Sequence, residues 1–407
     1  IHAAGPSILL AFVFGGILVY FILFALSEMT VANPDEGSFR SFAASAFGRG
    51  AGFVVGWVYW TGMVLAMSSE ATAVSILVRG FAPNVPIAFL GSIIILGVTL
   101  LNLLGADKLS KLESVLAAFK LFAIVSFIVM AVMLILGLYP GRSAAGIGEL
   151  RGEAMAPGGL GGFFGSMLIV MFSYAGFEII GLAASEAGNP RVTVPRAIRQ
   201  TVLSLTGLYI LSVAMILPLI KTAQISEDES PIVAALMNRG IGWAGTALSA
   251  VLITAILSTM LAAMFGLGRM MRSLADEGMA PAWLKDRKDV PKRGIMASGL
   301  AMLSALGLGL MFPRVYLFLI SSGGFAILFT YAVIMATHIR LRKKNGCPPD
   351  GKCQLWGYPY SSFLVLISLI AAMLSMPFVK GQAAGLIAGI IIVVFYIFCY
   401  IAIRIFR

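Results

Sequence analysis

The chain has 407 residues, of which 59% are hydrophobic and 12% charged, and it carries a formal net charge of +11. A soluble protein of this composition would have too little polar surface to remain in water, so we predict a polytopic membrane protein surrounded by lipid. Its length allows about ten to twelve transmembrane helices at roughly 35 residues per span and connection. In such a protein the positive charge reports orientation and contact with anionic lipid, which excludes nucleic-acid binding as its meaning.

Eleven apolar segments are long enough to cross the hydrocarbon core of a bilayer. In chain order they are 6–29, 50–80, 85–104, 112–138, 160–186, 197–220, 244–275, 295–312, 315–339, 360–379 and 383–404. Residues typical of turns separate several of them, at 33–37, 83–86, 188–190 and 348–351. We therefore predict an all-α protein with eleven full spans.

The basic residues predict the orientation of these spans. If connection 32–48 is cytoplasmic, 21 of the 29 basic residues lie on that side, seven lie on the other side, and Lys120 lies within a segment. Because basic connections stay in the cytoplasm, the C-terminus is predicted inside a cell membrane and Ile1 outside. A chain that starts on the outer side is expected to lack most of its first helix, with residues 2–6 at the outer end of that helix.

The fifth segment contains a glycine and a carboxylate near mid-membrane, in the run from Phe172 to Glu178. An unpaired glutamate at that depth is costly unless it meets water, a partner or a proton. Transporters use broken helices there because unwound carbonyls and half-helix ends bind ammonium, cation and carboxylate groups. We predict a break at Gly176, and the alternative is that this glycine only allows close helix packing.

Other polar side chains also lie within segments of membrane length. Lys120 is too far from the end of its segment for easy contact with the interface, so we expect it to face the bundle interior; the alternative is a lysine whose side chain extends to the cytoplasmic interface. Glu70 is either part of a pathway or one side of a polar contact between helices. Ser258 and Thr259 could bind a cation or substrate, or their hydroxyls could bond back to their own helix.

The sequence contains no pattern typical of a catalytic or cofactor site. A Walker loop, a dinucleotide fingerprint and a nucleophile elbow are all missing, so we expect no cofactor and no enzymatic activity. Cys347 and Cys353 flank a Pro-Pro-Asp-Gly-Lys turn whose spacing is not a usual zinc pattern. We therefore predict that these two cysteines are unreactive thiols and that the chain holds no metal.

Several motifs occur in one order along nearly the whole chain. They are Ala4-Gly5-Pro6-Ser7, Ala25-Leu26-Ser27-Glu28-Met29, Phe172 to Glu178, Ser185 to Arg191 with Val194 to Ile198, and Arg269-Met270 with Leu274 to Pro281. In these motifs the sequence resembles the amino acid-polyamine-organocation (APC) superfamily and, within it, the bacterial amino acid permeases. The resemblance implies twelve helices in the intact fold, the first ten forming two inverted five-helix repeats.

The resemblance also implies a division of the chain. Residues 1–138 would be the remainder of the first repeat, with the end of helix 1 and helices 2–5. An extracellular connection at 139–159 would lead to the second repeat at 160–344, with helices 6–10. Residues 345–407 would then form helices 11 and 12.

The same resemblance assigns the substrate to unwound backbone in the first and sixth helices. It implies that the carbonyls of Phe172, Ser173 and Ala175 receive the α-ammonium group, with the Phe172 ring as a gate over the substrate. Gly176 would permit the unwinding, and Phe177 belongs to the same substrate-binding stretch.

Three charged residues match coupling or gating positions of the family. Lys120 matches a fifth-helix lysine whose charge replaces a sodium ion in proton-coupled members, and Glu70 matches a third-helix carboxylate. Glu178 would join the helix halves to neighbouring helices or take part in coupling. The glycine-rich motif of the first helix is absent, and Leu261-Ala262 replaces an Asn-Ser pair of many relatives. The resemblance therefore does not identify the residues that would contact the substrate side chain.

The resemblance implies a secondary active transporter that imports an amino acid by proton symport with alternating access. Its partners would be an amino acid substrate, the proton as coupling ion and membrane lipid. We expect a neutral substrate because no isolated carboxylate pocket for a basic side chain is evident, although Glu70 could reach a basic one. The alternatives are an amino acid/amine exchanger and, from other classes, a membrane-embedded enzyme or a channel.

Overall fold

The computed structural model describes residues 1–32, 38–178, 190–226, 229–286, 290–312, 314–347 and 353–405. The turns predicted at 33–37 and 348–351, motif residues 185–189 and the end of segment 160–186 lie outside the described residues. Within the described ranges every regular element is helical, in agreement with the predicted all-α class.

Thirteen α-helices occur in the part of the chain that the structure describes. They are α1 (Ile8–Ala32), α2 (Ser38–Phe47), α3 (Arg49–Arg79), α4 (Ile87–Asn102), α5 (Ala106–Leu136), α6 (Gly159–Ser173), α7 (Pro190–Ile216), α8 (Pro231–Asn238), α9 (Gly242–Asp276), α10 (Lys292–Gly309), α11 (Val315–Asn345), α12 (Tyr360–Leu374) and α13 (Ala383–Ile405). Each of the eleven predicted segments overlaps one of these helices, although α6 covers only the first part of segment 160–186. Helices α2 and α8 are short and lie in connections.

Seven of the described helices contain a stretch that is long and apolar enough to cross a membrane, namely those in α1, α3, α5, α7, α9, α11 and α13. Helices α4, α6 and α12 are apolar but shorter, and α10 has 18 residues. The protein is therefore a multi-pass membrane protein. The count of eleven spans stays a prediction, as do the inverted repeats.

The bounds of helix α5 differ from those of the predicted segment 112–138, and two glycines explain the difference. It starts at Ala106, directly after Gly105, whose φ of 94° suits glycine, and it ends before Gly137 at φ 73°. The glycines set both ends because a residue with a Cβ is strained at positive φ. The helix thus begins before the apolar run does.

The chain divides into two compact units that interleave along the sequence. Unit 1 comprises residues 1–9, 63–163 and 209–320. Within it, α9 packs against α4, α5 and α10. Glycines allow a close approach there, since a Cβ on Gly294 would lie 2.6 Å from the Gly268 carbonyl oxygen. Apolar side chains of α5, α8 and residues 216–225 form a buried core cluster in this unit.

Unit 2 comprises residues 10–62, 164–208 and 321–407. Its α1 approaches neighbouring helices through two adjacent glycines: a Cβ on Gly15 would lie 2.9 Å from Val170 Cγ1, and one on Gly16 would lie 2.6 Å from Thr206 Oγ1. Contacts this short exclude a larger residue without a shift of the partner. Helices α1, α6 and α7 therefore pack closely in unit 2 because α1 has no side chain at these positions.

Candidate functional site

Helix α6 ends where the sequence predicts a break. Its last residue is Ser173, and residues 174–178 form turns. The Ala175 N–H donates to the Phe172 carbonyl at 2.9 Å, which tightens the end of the helix. Gly176 then adopts a φ of 101°, in the left-handed region that a side chain disfavours. The described part of this segment is therefore non-helical at 174–178, and residues 179–186 lie outside it.

Glu178 holds this turn from its buried side. The residue is fully buried, and its carboxylate accepts hydrogen bonds from the Tyr59 hydroxyl at 2.7 Å and the Tyr331 hydroxyl at 3.0 Å. It also accepts the Gly176 N–H at 3.0 Å. A buried carboxylate needs such donors to offset its lost hydration. Glu178 thus joins the turn to α3 and α11 in unit 2.

Aromatic rings enclose this carboxylate. Phe177 stacks on Tyr331 with ring centroids 4.8 Å apart, and Phe39 meets Tyr59 edge-on at 4.9 Å. Phe177 is only 5% exposed, so its ring packs inside unit 2. Of the predicted substrate-binding residues, it is the one whose side chain supports the turn from within.

The other predicted substrate-binding residues remain partly exposed. Phe172, Ser173, Ala175 and Gly176 are each half-buried, whereas Tyr174 between them is buried. The Ser173 hydroxyl donates to the Val170 carbonyl at 2.7 Å, within its own helix. The accessible polar groups of this stretch are therefore mainly those of the backbone.

Tyr174 fixes the turn to α1. Its hydroxyl donates to the Phe12 carbonyl at 3.0 Å, and the two rings lie 6.3 Å apart. Gly15 allows this approach because its missing side chain leaves room for Val170 and Tyr174. The turn is thus held from α1, α3 and α11, all within unit 2.

The structure assigns the remaining predicted site residues to unit 1 and brings two of them together. Lys120 of α5 interacts electrostatically with Glu70 of α3. Glu70 Oε2 is buried and has no hydrogen-bond partner among the described residues. The Lys120 ammonium therefore offsets part of the cost of burying this carboxylate in a low-dielectric environment.

Ser258 and Thr259 of α9 differ in their surroundings. Ser258 is buried at 3% exposure. Thr259 is exposed, and its hydroxyl donates to the Ile256 carbonyl at 2.8 Å and approaches that of Ala255 at 3.2 Å. For Thr259 the structure thus shows a hydroxyl that bonds back to its own helix.

The prediction of two unreactive thiols is wrong for Cys347 and Cys353, which form a disulfide with their Cα atoms 5.3 Å apart. Sequence spacing cannot distinguish the two states, because pairing depends on where the intervening turn brings the Cα atoms. Cys399 is a free thiol. Among the described residues no group of three or more His, Cys, Asp or Glu side chains could hold a metal ion.

Sequence reasoning missed the partners of Glu178. Tyr59 and Tyr331 lie in apolar segments, and nothing in their immediate sequence indicates that both point to one carboxylate. The available signal was chemical: a buried glutamate requires donors, and a tyrosine within a span supplies an O–H on an apolar ring.

A family model described as amino acid permease matches residues 1–407. The chain belongs to the amino acid permease family. This permease is 30% identical over 409 residues to the gamma-aminobutyric acid permease of Bacillus subtilis (strain 168), an alignment that covers 98% of this chain and 87% of that protein.

Two further relatives belong to Escherichia coli. The gamma-aminobutyric acid permease of strain K12 is 32% identical over 398 residues, covering 95% of this permease and 84% of that protein. The aromatic amino acid transport protein AroP of Escherichia coli O6:H1 (strain CFT073) is 29% identical over 389 residues, covering 94% of this permease and 85% of that protein. Membership in this family makes amino acid transport across a membrane the class of function.

Solved structures agree on the fold. The crystal structure of an Eremococcus coleocola manganese transporter superposes with a TM-score of 0.59 at 14% identity, covering 98% of this permease and 87% of that chain. A mutant of the same transporter gives a TM-score of 0.58 at 16% identity, with the same coverage of both chains. At this identity the likeness concerns the fold alone.

Proposed function

We propose that this permease is a secondary active transporter that imports a neutral amino acid by proton symport, with alternating access. The observation that carries the proposal is the turn after α6. Its backbone at 172–176 is partly accessible, while Glu178 holds it from behind through Tyr59 and Tyr331. A rigid turn with accessible backbone groups is suited to binding the polar ends of a small zwitterion.

The substrate ammonium group would bind to the carbonyl oxygens of Phe172, Ser173 and Ala175. Each carbonyl has two lone pairs, so the Phe172 oxygen can accept the Ala175 N–H and still accept from a substrate. The half-buried Phe172 ring would cover the bound molecule. Because backbone groups read only the amino and carboxyl groups, this part of the site would accept many amino acids.

The names of the relatives support a neutral substrate. Two are named for gamma-aminobutyric acid and one for aromatic amino acids, all of which carry one ammonium and one carboxylate group. Glu178, the carboxylate beside the turn, is fully buried and already accepts three hydrogen bonds from the protein, so it is enclosed away from a cationic side chain. A second ammonium group would therefore lack a partner at this turn.

Lys120 and Glu70 would carry the coupling proton. Lysine can lose its proton inside a protein, whereas arginine cannot. The Glu70 carboxylate would stabilise the charged ammonium, and release of the proton would leave Glu70 uncompensated in unit 1. The two charge states of Lys120 would thus favour different arrangements of its surroundings, which is what coupling requires.

The predicted orientation completes the proposal. The excess of basic residues in alternate connections supports a cytoplasmic C-terminus in the cell membrane. Import would then begin at the side that carries the 139–159 connection and end at the side that carries the basic connections.

Uptake by proteoliposomes tests the function and the substrate class. We expect vesicles with an inward proton gradient to accumulate radiolabelled neutral amino acids, including gamma-aminobutyric acid, above the outside concentration and to exclude lysine. Lysine accumulation equal to that of neutral substrates would overturn the substrate class. Strict one-for-one counterflow of an amino acid against its amine, without accumulation, would establish the exchanger instead.

A further inference from the structure

Unit 2 contains a second buried carboxylate, that of Glu28 near the end of α1, and it is 3% exposed. Glu28 Oε1 lies 3.2 Å from His338 Nε2. Glu28 Oε2 lies 3.4 Å from Arg342 Nη1 and accepts the backbone N–H groups of Gln354 and Leu355, both at 3.1 Å. This Glu28 cluster therefore joins α1 to α11 and to the segment that precedes α12.

His338 is placed so that both ring nitrogens face polar groups. The residue is 1% exposed, and its Nδ1 lies 3.4 Å from the Ser362 hydroxyl of α12. A hydroxyl can donate to a neutral nitrogen and, after rotation, accept from a protonated one. With Glu28 on the other side, the surroundings of His338 suit both the neutral and the charged imidazole.

A cavity of about 130 Å³ reaches the cluster. Glu28, His338 and Arg342 contribute to its lining together with Phe42 and Ser45 of α2. This volume corresponds to roughly four water molecules at liquid density, and the lining offers them polar partners. Water can therefore carry a proton to an imidazole that is otherwise enclosed.

Protonation of His338 changes the net charge of the Glu28 cluster. With a neutral imidazole, the Glu28 carboxylate and the Arg342 guanidinium balance each other, and the Tyr358 ring covers that guanidinium at 4.2 Å. Tyr358 also meets the imidazole edge-on at 5.9 Å. The cavity residues that α2 supplies are uncharged. A proton on His338 thus adds one positive charge to a balanced, buried cluster.

We propose that His338 is a proton-binding site through which pH regulates the junction of α1, α11 and residues 354–355. Water in the cavity relays one proton from the solvent to the imidazole and is itself left unchanged; the Nε2–H group then donates to Glu28, and the Nδ1–H group donates to Ser362 Oγ. The loss of that proton returns the cluster to charge balance. The inference depends on the proposed transport function only for its effect on uptake, because proton binding is measurable by itself.

Histidine titration by NMR tests the site directly. The chain has only two histidines, so protein with ¹⁵N-labelled histidine in lipid nanodiscs gives two sets of imidazole signals. A His2→Asn variant leaves the signals of His338 alone. We expect these signals to shift with the uptake of one proton as the pH is lowered across the range in which the protein stays folded. A His338 spectrum that stays constant over this range would overturn the proposal.

Two variants test the cluster. Replacement of Glu28 by Gln should weaken proton binding at His338 about tenfold, because the opposing charge is removed. Ser362→Ala removes the partner of Nδ1 and should also move the midpoint of the His338 titration. This variant provides a second test if the Glu28 variant does not fold. An unchanged midpoint in a folded variant of either kind would contradict the role of the cluster.

Uptake by the same protein separates this inference from the proposed function. We expect His338→Gln to flatten the pH dependence of the uptake rate measured at a constant proton gradient, since glutamine does not titrate. An unaltered pH dependence in this variant would contradict regulation through His338. Absence of amino acid uptake by the wild-type protein, together with a titrating His338, would contradict the proposed function and leave the proton site in place.

Discussion

The Tyr59 hydroxyl donates to the Glu178 carboxylate across 2.7 Å, although 119 positions separate the two residues in the chain. Tyr331 donates to the other carboxylate oxygen at 3.0 Å. These bonds attach the turn after α6 to α3 and α11 in unit 2. The conformation of the backbone at 172–176 is therefore set by helices far away in sequence.

Tyr59→Phe should lower the free energy of unfolding by about 1–3 kcal/mol, because a buried carboxylate oxygen loses its donor. Tyr331→Phe should have a similar effect, whereas Tyr360→Phe, whose residue is 84% exposed, should stay within about 0.5 kcal/mol of the wild type. Denaturant unfolding in detergent micelles measures all three. Equal stabilities of the three variants would show that the Glu178 bonds contribute nothing.

Gly176→Ala tests the backbone conformation of the turn. The glycine has a φ of 101°, and nothing lies within 4 Å of the position that a Cβ would occupy. Its replacement should therefore cost about 1–2 kcal/mol through strain alone. Gly207→Ala in α7 is the matched control. A Cβ at Gly207 would also meet open space, but this glycine does not have a positive φ. Thermal unfolding should separate the two variants, and equal midpoints would contradict the turn geometry.

The fold was predictable as far as it depends on apolar runs. All eleven segments overlap helices, because an apolar run in lipid has to satisfy most of its backbone hydrogen bonds within a helix, although α6 ends at Ser173, inside segment 160–186. Helices α2 and α8 escaped prediction because they lie in connections, where hydrophobic length carries no information. The start of α5 was missed because Gly105 determines it, and the apolar pattern does not.

Helix α1 packs so closely in unit 2 that an added methyl group at Gly16 should destabilise the protein. Gly16→Ala would place a Cβ 2.6 Å from Thr206 Oγ1 and 2.7 Å from its Cγ2. The branched side chain has to move, so we expect a loss of about 1–3 kcal/mol in unfolding free energy. In contrast, Gly97→Ala in α4 has open space and should be neutral. A neutral Gly16 variant would contradict the contact between α1 and α7.

The Cys347–Cys353 disulfide determines how many thiols can react before and after reduction. Titration of the denatured, unreduced protein with a thiol reagent should find one thiol, from Cys399, and titration after reduction should find all three. The Cys353→Ser variant is the control, because it should expose a second thiol, from Cys347, before reduction. Three thiols in the unreduced wild-type protein would contradict the Cys347–Cys353 pairing.

The candidate site was predictable only in part. The break at Gly176 follows from a glycine and a carboxylate at mid-membrane, which local sequence reveals. The donors to Glu178 and the proximity of Lys120 to Glu70 depend on which helix faces meet, and the apolar pattern does not encode these contacts. Glu28 and His338 were missed as a pair for the same reason, since they are 310 positions apart in the sequence.

Proton entry during uptake is the most direct test of proton-coupled amino acid import by this permease. Proteoliposomes that contain a pH-sensitive dye should acidify inside when a neutral amino acid is added outside without any imposed gradient. Lys120→Arg should abolish this acidification because arginine keeps its proton, and Lys221→Arg, in the connection between α7 and α8, should leave it intact. We expect acidification that depends on both the amino acid and Lys120. Amino acid uptake without acidification, or uptake that requires sodium, would contradict it.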